Sequence, residues 1–144
     1  MLYQFTVPGA PRGKERPRFV KQGGKQFVYT PPKTAAYEKQ VKAAYQGPRF
    51  TSAVGIRVMA YYPIPDSWPK HKKQEALACL IYPTVTPDLD NILKAVCDAL
   101  NGAAYADDKA VVSARVDKCY SDRPRVCVEI WGEVGGIDPD RDDP

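Results

Sequence analysis

Histidine is almost missing from this chain. His71 is the only one, and it sits in the lysine-rich run Lys70-His71-Lys72-Lys73. A lone histidine among lysines reads as a surface residue, so neither an imidazole base nor a histidine-ligated metal is expected. Cysteine is sparse too. Cys79, Cys97, Cys119 and Cys127 make no Cys-x-x-Cys pair, which argues against structural zinc. The simpler view is a reduced, cytoplasmic chain, with Cys97 in the core. No apolar run approaches the roughly 20 residues of a membrane span. The opening residues carry no secretory signal, and no internal repeat appears.

What is present suits one globular domain. The chain has 144 residues, of which 44% are hydrophobic, enough to bury a real core. Fourteen prolines and ten glycines imply many turns. The formal net charge is +4, and its distribution says more. Residues 1–50 hold ten Lys/Arg against two Asp/Glu, and the remainder hold eleven against fifteen. A basic half of this kind can neutralise phosphates, which raises affinity for nucleic acid of any sequence. It also fits a plain solvated surface.

Residues 2–7 alternate as a half-buried strand. Residues 8–25 carry Arg12, Lys14, Arg16, Arg18, Lys21 and Lys25, with Phe19, Phe27 and Tyr29 interleaved. Such a ribbon suits DNA through cationic contacts and stacking, or folds as a twisted hairpin with its aromatics inward. Arg12, Lys14, Arg16 and Arg18 are the candidate phosphate contacts. Thr34–Tyr45 has helical composition, with Ala36, Tyr37, Val41, Ala44 and Tyr45 on one side. Residues 53–63 read as a long strand with Val54, Ile56, Val58, Ala60 and Tyr62 of one parity. A short basic helix follows, with Ser67 as its cap and Pro69 in its first turn. Its Lys70, Lys72 and Lys73 offer a second phosphate contact. Leu80–Tyr82 is expected as a short extended piece, and 111–116 and 126–131 as two strands turned by 121–124. This order predicts an α+β domain over residues 1–134, a mixed β-sheet with helices packed on it. Residues 135–144 hold four aspartates and one arginine and are expected to be a disordered acidic tail.

The most informative stretch is Thr86–Asp108. Pro87 favours a helix start just after it, and Asp88 or Asp90 can cap that start. Ile92, Leu93, Val96, Ala99 and Leu100 recur at helical spacing, and Asn101-Gly102 is a strong stop. Asp90, Lys94 and Asp98 are four apart and share the polar face. Asp107 and Asp108 follow a short loop. Magnesium and manganese take carboxylate oxygens, so aspartates from separate elements, with a lysine, suit metal-assisted attack on a phosphodiester. The same residues also admit a structural reading. Asp88 is then a cap, Asp90, Lys94 and Asp98 a solvated ion-paired face, and Asp107-Asp108 a polar turn.

Asp88-Leu89-Asp90-Asn91, then Lys94, Asp98-Ala99-Leu100-Asn101-Gly102 and Tyr105-x-Asp107-Asp108 resemble the signature of the RusA family of Holliday-junction resolvases, common in phages and prophages. A looser likeness takes in the basic, proline-bearing segment near the N-terminus and the Tyr-Thr-Pro before the first helix. From about Gly132 onward no counterpart is identified. The resemblance implies a RusA-like fold and a magnesium-dependent endodeoxyribonuclease, with manganese as the alternative ion. It implies metal binding and catalysis by Asp88, Asp90 and Asp108, with Lys94 needed for cleavage and Asn91, Asp98 and Asp107 supporting. The expected partner is a four-way DNA junction in the cytoplasm of a bacterial or phage-infected cell. A homodimer would cut its strands in symmetric pairs. Three other readings remain open: a nuclease for flaps or forks, a non-catalytic DNA-binding module, and a protein–protein adaptor using the acidic tail.

Overall fold

Residues 1–15, 18–29 and 31–135 are described by the structure, a computed structural model. The elements run β1 (Leu2–Pro8), β2 (Arg18–Gln22), β3 (Lys25–Tyr29), α1 (Pro32–Ala44), β4 (Val54–Pro63), α2 (Lys70–Leu77), α3 (Leu89–Ala99), β5 (Val111–Ser121) and β6 (Arg125–Trp131). The acidic segment beyond Gly135 lies outside the described residues, as do Arg16, Pro17 and Thr30.

Four strands form one mixed sheet in the order β1-β6-β4-β5. The expected parity of β4 holds: Val54, Ile56, Val58, Ala60 and Tyr62 are all buried. Burial on this scale is the main favourable term of the fold, at about 25 cal/mol per Å² of apolar surface. β4 pairs antiparallel with β6 and parallel with β5. The last two strands are therefore not hairpin partners, although a short turn joins them. That turn wraps the end of β4 at Pro63, where a proline stops the ladder. Arg125 braces it by donating to the Ser121 hydroxyl at 3.1 Å and the Arg123 carbonyl at 2.9 Å.

A parallel β4–β5 pair requires the chain to cross back between them, and α3 makes that crossing. Its apolar face is fully used: Ile92, Ala95, Val96, Cys97, Ala99 and Leu100 are buried. The helix ends where expected, with Gly102 at φ +79°, a conformation that carries no Cβ penalty in glycine. α1 packs on α3 and β1. Its buried stripe is Thr34, Tyr37, Val41 and Tyr45, while Ala36 faces solvent. The face read in the sequence thus holds at Tyr37, Val41, Ala44 and Tyr45, with Ala36 outside it and Thr34 added.

Three local expectations are corrected. Ser67 does not cap α2, which starts behind Pro69 without a side-chain cap. Proline at that position supplies an extended entry instead. Leu80–Tyr82 forms no strand. It lies in an irregular connection that includes a cis Thr86–Pro87 bond. Finally, β2 and β3 pair only with each other. Their ribbon, turned at Gly23-Gly24, leaves Phe19 68%, Phe27 50% and Tyr29 41% exposed, so its aromatics do not pack inward.

Candidate active site along the crossover helix

The topology decides where each acid goes. α3 begins at the Pro63 end of the sheet, where the Tyr62 hydroxyl donates to the Pro87 carbonyl. Lys118 secures the same connection by donating to the Val85 carbonyl at 2.6 Å. The chain then re-enters the sheet at Val111, opposite Val54 at the other end of β4. Asp88 and Asp90 therefore sit at the start of α3, and Asp107 and Asp108 lie near its finish.

At the start, Asp88 occupies the N-cap position without making a side-chain cap hydrogen bond. Its carboxylate is exposed and faces an open groove that Arg12, Lys33 and Asn91 also line. Burial pushes the nearby Tyr62 hydroxyl up to about 12, with the charge of Asp88 adding to the effect. Asp90, in the first helical turn, is exposed as well.

At the finish, Asp107 accepts from the Asp108 amide at 2.8 Å and caps a short 3-10 turn, Asp108–Ala110. Asp98 reaches the same place. Burial, followed by hydrogen bonds to Asp98 and Asp107 and by their charges, raises the Asp108 carboxyl above its ordinary value. Tyr105 sets the loop that carries Asp107 and Asp108. Its buried hydroxyl donates to the Cys97 carbonyl at 2.7 Å. That carbonyl lies in the last turn of α3, where acceptors lose their helical partners.

Between the two ends lies Lys94, with its side chain 61% exposed and its ammonium 3.7 Å from Asp98. Lys14 reaches in from the other side. It pairs with Glu38 of α1 and lies 3.4 Å from Asp98, with only 15% of its side chain exposed. Burial opposes its charge, but the two carboxylates outweigh it and its pKa is raised.

The structure thus joins Asp98, Asp107 and Asp108 and places Asp88 and Asp90 apart from them. Asp90 and Asp98 are separated by eight residues, about 12 Å of helix rise. Hard carboxylate oxygens are the right donors for magnesium or manganese. The donor set fits in kind, but among the described residues no three such groups converge on one ion position.

The candidate DNA contacts divide in a similar way. Arg12 lines the groove at Asp88, whereas Lys14 is engaged by two carboxylates instead of being displayed to solvent. Arg16 lies outside the described residues, and Arg18 opens β2. Lys70, Lys72 and Lys73 ride on α2, which packs on β5, with Lys72 stacked 3.9 Å over the Trp68 ring. Sequence reading passed over Glu38, Gly13 and Lys33. Glu38 lies 24 residues from Lys14, and nothing in one sequence links such distant partners. Gly13 is fixed by packing: a Cβ there would fall 2.9 Å from the Cβ atoms of Asn91 and Pro87.

Comparison with known proteins agrees with this architecture. The family model described as Endodeoxyribonuclease RusA matches residues 8–131. The chain is also 40% identical over 133 residues to a Bacillus subtilis (strain 168) protein described as "Uncharacterized protein YqaN", covering 88% of this chain and 94% of that one. The chain belongs to the RusA endodeoxyribonuclease family. It is accordingly an endonuclease, a hydrolase of DNA phosphodiesters. None of the described helices is long and apolar enough to cross a membrane.

Proposed function

We infer that the chain is a divalent-metal-dependent nuclease that resolves four-way DNA junctions, two copies cutting two strands symmetrically. The observation that carries this reading is the family match over residues 8–131, which contains Asp88, Asp90, Asp98, Asp107 and Asp108. By the family resemblance, Asp88, Asp90 and Asp108 are the residues that would hold a magnesium or manganese ion. Asp108 lies at the far end of α3 from the other two, so a single ion would require the chain to draw them together. When bound, such an ion polarises the phosphoryl oxygen and lowers the pKa of water. Lys94 stands on the same helix face, mostly exposed and held by its 3.7 Å pair with Asp98. On swinging toward a phosphate, its charge would offset the charge building on the phosphoryl oxygens. Asp98 and Asp107 hold Asp108 in place. A four-way junction has two-fold symmetry, and a two-fold dimer presents one such site to each of two strands.

The experiment is incubation of the purified protein with labelled four-way junctions, forks and flaps, with and without magnesium. Magnesium-dependent paired nicks in the junction, absent with Asp90→Asn, are the expected result. The variant should keep its melting temperature and its junction binding. Equal cutting by Asp90→Asn would remove the assigned site. Preference for forks or flaps would move the substrate class.

A further inference from the structure

We propose that the groove beside Asp88 seats a backbone phosphate of the DNA strand that is cut, one that flanks the scissile phosphate, with Lys33 and Arg12 as its contacts. The proposal rests on the nuclease reading above and adds a subsite to it. The groove has a volume of about 390 Å³ and is walled by the 11–15 loop and the starts of α1 and α3. That is room for a phosphate together with its sugar.

Among the described residues three cations border it, and they are not equivalent. Lys14 is committed to Glu38 and Asp98. Arg12 and Lys33 are exposed, and among the described residues neither makes an ion pair. They are the two charges left for a ligand. Lys33 and Thr34 belong to the first turn of α1, whose N-cap residue, Pro31, makes no side-chain cap hydrogen bond. Pro32 has no amide N–H and the Ala35 amide already donates to the Pro31 carbonyl, so the Lys33 and Thr34 amides are the ones that add donor capacity on the same side.

The walls are fixed before any ligand arrives. Gly13 lies directly against Pro87 and Asn91, and the Lys14 amide donates to the Asn91 carbonyl at 3.0 Å. Thr34, only 4% exposed, accepts from the Glu15 amide at 3.3 Å. A rigid cationic groove needs little ordering to bind. Asp88 is on its wall, and a bare carboxylate repels the phosphate nearest to it. The seat at Lys33 and Arg12 therefore suits a flanking phosphate. Asp88 and Glu15 also keep the groove from being strongly cationic, so it would hold a phosphate as part of a longer DNA track.

The test uses the full chain, in calcium, with four-way junctions. Single phosphates near the branch point are replaced one at a time by neutral methylphosphonate. For the wild type, one position should weaken binding roughly tenfold, the scale of one charge-assisted hydrogen bond. Lys33→Ala should show a similar loss on the unmodified junction and no further loss at that position. It should also flatten the slope of log affinity against log salt by about 0.9 for each copy bound, and Lys33→Arg should restore both. The proposal is overturned if Lys33→Ala keeps the wild-type salt slope, or if its methylphosphonate penalties match the wild type everywhere. Binding needs no cleavage, so a protein that binds this way yet never cuts would sink the nuclease reading and leave the phosphate seat standing.

Discussion

The Lys14 ammonium lies 3.4 Å from the Asp98 carboxylate while it also pairs with Glu38. One mostly buried cation thus ties the 11–15 loop to α1 and α3, and Asp98 in turn helps to raise the Asp108 carboxyl above its ordinary value. Removing the cation leaves two carboxylates facing each other in a partly desolvated place. Lys14→Met should destabilise the fold by about 1–3 kcal/mol, less than a fully buried pair because solvent still screens the site. Urea denaturation of the variant beside Lys14→Arg measures this. An unchanged midpoint for Lys14→Met would show that the pair contributes nothing.

Gly13→Ala would place a methyl group 2.9 Å from the side chains of Asn91 and Pro87. The loop must then lift from α3, at a cost of about 1–3 kcal/mol. Junction affinity should fall with it, because Arg12 moves with the loop. A thermal melt combined with a gel shift separates the two effects, and normal values in both would contradict the close packing.

Tyr105→Phe deletes the donor to the Cys97 carbonyl and leaves a buried acceptor unpaired. The expected loss is about 1–3 kcal/mol. Because the same loop presents Asp107 and Asp108, the cleavage rate at saturating DNA should drop further than stability alone explains. A variant as stable and as fast as wild type would remove Tyr105 from the site's support.

Asp88, Asp90, Asp98, Asp107 and Asp108 present concentrated negative charge to an anionic substrate. A divalent cation that neutralises part of it should strengthen junction binding by roughly tenfold, the scale of one charge-assisted contact. Titrations in calcium and in EDTA decide this. Identical affinities and identical complexes would mean that the acids do not meet the DNA through an ion.

Strands and helices were readable wherever periodicity was strong. β4 and α3 show their buried faces directly in the order of residues, and Gly102 marks the helix end without help from the fold. Pairing was not readable, because the turn at 121–124 looks the same whether or not β4 lies between the strands it joins. The acid positions followed from motif spacing. The prominence of Asp98 did not, since its contact with Asp108 depends on where the crossing helix ends over the sheet. Lys14 showed the same limit. As a letter it is one of several cations in a basic segment, and only tertiary structure assigns it to Glu38.

Among the described residues the β2–β3 ribbon has no substantial packing on another element. Its ladder is held by its own hydrogen bonds alone, and an isolated two-stranded ribbon is only marginally stable in water. Amide protons there should exchange with deuterium long before those of the four-stranded sheet, and an aromatic replaced on the ribbon should leave the melting temperature of the body untouched.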